Sequence, residues 1–150
     1  MLVWAQGDDG LDIDQAYSGT VSNSVVILGN NSDHGLEIDG PEGSLNGEFE
    51  LQDITLIGNA DTSNGEYADY RSRAMGSSNG VYAYNFPDGK DVELDNNGVA
   101  QNYLDGILSF SMWEVVGFDN SIFVEKVATD DNGDPTEEKI ILNPDFTERA

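Results

Sequence analysis

Two short corners carry most of the chemistry that this chain could perform. Gly7-Asp8-Asp9-Gly10 and Ser32-Asp33-His34-Gly35 place three carboxylates and the lone histidine at matching positions, 25 residues apart. Carboxylates gathered beside a histidine can act as acid and base, provided that the fold brings the two corners within hydrogen-bond reach. Asp8, Asp9 and His34 are the candidates for that role. The same neighbourhood can instead hold a divalent cation, with Asp9, Asp12, Asp33 and Asp39 as oxygen ligands and calcium as the ion they suit. Arg71 and Arg73 stand out in a chain with six Lys and Arg residues. They can bind an acidic substrate or pair with local carboxylates. Asp130-x-Asn132-x-Asp134 begins like a calcium loop, but Pro135 stands where the EF-hand turn needs glycine. Trp4, Trp113, Tyr67, Tyr70, Tyr82 and Tyr84 can stack sugars, although packing is the commoner role of such rings. Turn geometry also explains the corners without any ligand, since Asp, Asn and Gly tolerate left-handed backbone and hydrogen-bond their own turns.

The elements that must position these residues show themselves as a repeat. Gly10-Leu11-Asp12-Ile13-Asp14 returns as Gly35-Leu36-Glu37-Ile38-Asp39, and Ser24-Val25-Val26-Ile27-Leu28-Gly29-Asn30 returns as Asp53-Ile54-Thr55-Leu56-Ile57-Gly58-Asn59. A third copy reads Ala68-Asp69-Tyr70-Arg71, then Asn79-Gly80-Val81-Tyr82-Ala83-Tyr84. A fourth reads Val92-Glu93-Leu94-Asp95, then Leu108-Ser109-Phe110 and Trp113-Glu114-Val115-Val116. The slots are short, alternating and bounded by Gly, Asn, Asp and Ser, which is the punctuation of strands; no window carries a helical stripe. A unit of about 25 residues with two or three such strands cannot bury its apolar side alone, so units must stack.

The expected fold is therefore all-β: a right-handed parallel β-helix of about four coils over residues 1–117. Handedness follows from the general sense of parallel crossovers. Leu11, Ile13, Val25, Ile27, Leu36, Ile38, Ile54, Leu56, Leu94 and Val115 should face inward, with Asp12, Asp14, Glu37 and Asp39 toward water. A β-sandwich is the structural rival, but it gains nothing from repeating one motif at a coil-like spacing. Residues 118–150 break the pattern. Ser121-Ile122-Phe123-Val124-Glu125-Lys126-Val127 and Lys139-Ile140-Ile141-Leu142 flank an Asn-Gly turn and read as a hairpin that caps the last coil. The first coil shows no cap, so a missing upstream coil or self-association through that end is expected.

Composition narrows the partners. With 29 Asp and Glu against six Lys and Arg, a net charge of -23 repels nucleic acid and anionic lipid. Such a surface attracts cations and tolerates salt. No cysteine is present, which excludes disulfides and thiolate metal sites. No apolar run approaches the roughly 20 residues of a membrane span, so membrane insertion is not expected.

On the Asp8-Asp9 pair and the His34-Gly35 turn, the chain resembles glycoside hydrolases of the polygalacturonase type. That resemblance implies a β-helix in which paired Asp residues act as general acid and base, with Arg71 or Arg73 binding the substrate carboxylate. Asp33 stands where the family has a glycine, and the family's Asn-Thr-Asp motif one coil earlier is not present. Over its whole length the chain is more similar to β-helical surface and lipoprotein domains of marine bacteria, in which Gly-Asp-Asp and Asp-His-Gly corners repeat. This likeness implies a pectin-lyase-like fold and an extracellular or cell-surface setting. The leading functional expectation is a non-catalytic domain that binds glycan or divalent cations and requires no cofactor. The alternative is a polysaccharide-degrading hydrolase or lyase fragment that uses Asp8, Asp9 and His34.

Overall fold

Strand periodicity is set by alternation: in Leu11-Asp12-Ile13 and Leu36-Glu37-Ile38 every second side chain is apolar, so one face of each segment demands burial. In the computed structural model these segments are strands β2 (Leu11–Ile13) and β4 (His34–Asp39). Described are residues 1–116 and, at the level of backbone, two later strands. The remaining elements are β1 (Leu2–Trp4), β3 (Thr20–Ile27), β5 (Phe49–Ile57), β6 (Glu66–Arg71), β7 (Gly76–Tyr84), β8 (Val92–Leu94), α1 (Asn97–Leu104), β9 (Leu108–Ser111), β10 (Glu114–Val116), β11 (Phe123–Glu125) and β12 (Thr147–Arg149). The first sheet runs β1-β3-β5-β7-β10-β12, with β9 also on β7, and the second runs β11-β8-β6-β4-β2.

Every pairing among the described residues is parallel, and Leu11 lies in register with Leu36, Leu36 with Ala68, and Ala68 with Val92. The repeat units therefore pile up as a parallel β-solenoid. It has about three turns rather than the four expected, because the fourth unit has short strands and is interrupted by α1. That helix was not foreseen. At eight residues it is too short to print a sustained stripe, but its ends carry ordinary signals. Asn96 caps it by accepting from the Gly98 and Val99 amides, and Gly106 just beyond it has φ +73°. Val99 and Ala100 fix it against the core.

The core is the stack of inward rows: Leu36, Ile38, Leu51, Ile54, Leu56 and Leu94 are buried from end to end of the solenoid. Two expected members are wrong. Val26 and Leu28 are buried, whereas Val25 and Ile27 are only half-buried on the outer face. The Gly29-Asn30 and Gly58-Asn59 matches suggest an offset of 29, but the ladder pairs Ile27 with Ile57, an offset of 30. A slip of one residue turns every side chain to the other face.

The strands of the first sheet are broken at one line. Asn23, Asp53, Gly80 and Met112 have φ of 49°, 53°, 70° and 51°, and the ladder steps over Asp53, pairing Ser22 with Gln52 and then Ser24 with Ile54. A left-handed residue in mid-strand turns the chain, so the sheet divides into two faces. Outward on the first halves are Ser22, Gln52 and Asn79. Outward on the second halves stand two rows in register, Leu2-Val25-Thr55-Tyr82 and Trp4-Ile27-Ile57-Tyr84. The second sheet instead stacks Asp12, Glu37, Asp69 and Glu93.

Strand β11 extends the second sheet in parallel on β8, with Phe123 beside Val92. The Asn-Gly turn of the expected hairpin and its second strand, Lys139-Ile140-Ile141-Leu142, lie outside the described residues. So does the loop from Asp130 to Pro135. No helix among the described residues is long and apolar enough to cross a membrane.

Candidate functional site

Glycines let the two corners meet. A β-carbon on Gly10 would lie 2.6 Å from the Gly35 carbonyl oxygen, and one on Gly35 would lie 2.8 Å from that of Tyr67, so only hydrogen fits between successive coils there. With the coils closed, the Gly10 amide donates to the His34 carbonyl at 2.8 Å and the Asp33 amide to the Asp8 carbonyl at 3.0 Å. These bonds set Asp8-Asp9 directly beside Asp33-His34.

Asp9 is the hub. Its Oδ1 accepts from the His34 backbone amide at 3.0 Å and lies 2.8 Å from His34 Nδ1. The same ring nitrogen is 3.3 Å from Glu37 Oε2 and 3.8 Å from Asp33 Oδ2. The side chains of Asp9 and His34 are each 7% exposed, whereas that of Asp33 is 63% exposed, so the cluster has a closed floor and an open rim. Burial pushes the Asp9 carboxyl up, but hydrogen bonds from the His34 side chain, the His34 amide and Glu37 outweigh it and hold Asp9 below its usual range. Burial drives the Glu37 carboxyl the other way, and the hydrogen bond and charge of Asp9 add to it, so that Glu37 is pushed up to about 7 against the opposing charges of Arg71 and His34. The two carboxyls are thus driven apart, Asp9 toward its charged form and Glu37 toward its protonated one.

Arg71 closes the network on the next coil. Its Nη1 donates to Glu37 Oε1 at 2.6 Å and its Nε to Asp69 Oδ2 at 2.5 Å. Asp69 is almost wholly buried, and burial raises its carboxyl in spite of Arg71. Its Oδ1 has no hydrogen-bond partner among the described residues.

Of the residues singled out from sequence, the fold brings Asp8, Asp9, Asp33 and His34 together, and Arg71 joins them at one remove. Potential ligand atoms of Asp8, Asp9 and Asp33 lie within 4.8 Å of one another, and so do those of Asp9, His34 and Glu37. The others stand apart. Asp12 is exposed one rung from Glu37; its carboxyl is raised by its partial burial and then by Asp14, Asp9 and Asp39. Asp39 accepts from the Ser72 hydroxyl at 2.9 Å, and Arg73 donates to the Pro41 carbonyl at 3.2 Å, so neither reaches the corner. Glu37 and Asp69 were missed as site residues. Alternation marked Glu37 as facing water, but the Leu11-Leu36 register already implied an acid row through Asp12 and Glu37. Tyr67, Tyr70 and Trp113 are core residues, while Trp4, Tyr82 and Tyr84 are exposed.

Compared with known proteins, the chain matches no family model, no curated protein and no solved structure. Function must therefore be read from the site itself.

Proposed function

We propose that the chain is a non-catalytic β-solenoid domain of an exported protein, and that it holds a divalent cation where the two corners meet. The observation that carries this reading is the position of Asp9, common to the exposed all-oxygen triad with Asp8 and Asp33 and to the mixed triad with His34 and Glu37. An ionised carboxylate beside a protonated one and an imidazole is an arrangement in which a metal ion can replace the proton. The all-oxygen side suits calcium, and the nitrogen-containing side suits zinc or manganese. The net charge of -23 and the resemblance of the corners to marine bacterial surface domains support an extracellular or cell-surface setting. Calorimetric titration with calcium, manganese and zinc tests the proposal and tells which side binds. Saturable heat that is lost in Asp9→Asn is expected, with calcium affinity of about 10⁻⁴ to 10⁻³ M if the exposed side is used. No heat with any of the three ions, and an unshifted melting temperature, would remove the reading.

The hydrolase reading draws on one observation: two neighbouring carboxyls pushed to opposite sides of their usual range, as acid and base pairs are. Separation counts against it. The two carboxyl groups of a glycosidase stand about 5 to 9.5 Å apart, the wider spacing admitting water, whereas carboxylate oxygens of Asp9 and Glu37 lie within 4.8 Å of each other. Release of reducing ends from polygalacturonate, lost in Asp9→Asn but kept in Asp8→Asn and Asp33→Asn, would favour hydrolysis over binding.

A further inference from the structure

We propose that the outer face formed by the second halves of the first sheet's strands binds an uncharged polysaccharide. The two rows on this face carry no charged side chain from β1 to β7, in a chain with 35 charged residues, and Glu114 in register with Tyr82 ends the first row. Large apolar groups lie open on it: Trp4 is 70% exposed, Leu2 62%, Tyr84 48% and Tyr82 39%. Exposed aromatic and aliphatic groups gathered on one face and framed by polar ones are the composition of a ligand-binding surface.

Size and charge select the occupant. Rungs about 4.8 Å apart and rows about 7 Å apart give a strip of roughly 200 to 300 Å². A stable protein interface needs about 800 Å² per partner, so a second copy or another globular protein is poorly served. A second copy would also bring together two surfaces of charge -23. An acidic polymer is repelled by the same surface, and a basic one is drawn to the acidic sheet instead. What remains is a neutral, narrow ligand with an apolar face. The pyranose ring fits that description, since its axial C–H bonds stack on aromatic faces and its hydroxyls point sideways. Groups that meet hydroxyls border the strip on both sides. Ser22, Gln52 and Asn79 run along one edge beyond the line of Asn23, Asp53 and Gly80, and Asn30 and Asn59 lie along the other, linked by an amide hydrogen bond of 2.8 Å. Parallel rungs repeat similar groups along the axis, which matches an extended chain better than a single sugar.

The test is depletion of the intact chain from solution by microcrystalline cellulose and by chitin, with alginate beads as the acidic counterpart. Depletion by at least one neutral polymer and not by alginate is expected. Trp4→Ala and Tyr84→Ala should each weaken binding about tenfold, and the double variant should abolish it. Both residues are exposed, so circular dichroism and melting should be unchanged in the variants. The proposal is overturned if neither neutral polymer depletes the protein, if the double variant binds equally well, or if alginate binds as strongly. It is also overturned if sedimentation shows a dimer that the double variant disperses, because the face then belongs to a second copy.

Discussion

The acidic outer face of the second sheet and the apolar outer face of the first are built by one rule and have opposite consequences. In a parallel solenoid each slot stacks on its equivalent about 4.8 Å away, so whatever a slot holds is multiplied along the axis. For Trp4, Ile27, Ile57 and Tyr84 that multiplication is harmless, because apolar side chains stacked on apolar ones do not repel. For Asp12, Glu37, Asp69 and Glu93 the same stacking sets carboxylate over carboxylate, and like charges in register repel. The protein answers with Arg71 between two of the acids, with His34 beside Asp9, and with a proton kept on Glu37 near neutrality. The face that needed compensation is the one that carries the candidate site.

The comparison breaks first at Asp9. Asp9→Asn removes the carboxylate common to both triads, and cation affinity measured by calorimetry should fall by about a hundredfold or more. If affinity survives, the acidic face is compensated but is not a site. Next comes Arg71→Met, which leaves Glu37 and Asp69 without their shared cation. Complete burial would make that loss about 3 to 5 kcal/mol; with the Arg71 side chain 34% exposed, about 1 to 2 kcal/mol is expected in denaturant unfolding. It should also push the Glu37 carboxyl further up, because the charge of Arg71 is one of the causes holding it down.

Glu37→Gln probes the proton. The folded carboxyl is raised from 4.5 to about 7, so the native state holds a proton that the unfolded chain releases between those values. Its contribution to stability is complete below about pH 4.5 and disappears as pH rises through about 7. Melting of the wild type should therefore fall across this window relative to Glu37→Gln. Cation affinity in the wild type should rise over the same range, since the ion must displace that proton. Asp9 acts in the opposite sense: its lowered carboxyl stabilises the fold above the usual Asp range, and this is lost as pH falls. The smallest effect belongs to the apolar face. Ile57→Thr on the half-buried row should cost less than about 1 kcal/mol in the same unfolding measurement. A larger loss would mean that this row is part of the packing rather than a free surface.

Much of this architecture was legible along the chain. The recurrence of Gly10-Leu11-Asp12-Ile13 as Gly35-Leu36-Glu37-Ile38 is a local pattern of strand period and coil spacing, and it sufficed to stack the two corners, because a chain of such units has no other way to bury Leu11 and Leu36. Less secure was the phase of β3. Val25, Val26, Ile27 and Leu28 are all apolar, so alternation is silent there and only the ladder decides which pair turns inward. Helix α1 escaped for want of length.

Composition and repeat by themselves determined the parallel β-solenoid and its acidic character, since both are sums over local residues. Only tertiary structure decided that Glu37 belongs with Asp9 and His34, that Arg71 reaches back across coils to join them, and that the first sheet turns at Asn23 and Asp53 to expose an apolar strip. Those facts depend on register to a single residue and on side-chain direction, which arise when coils close on one another and which no linear spacing specifies.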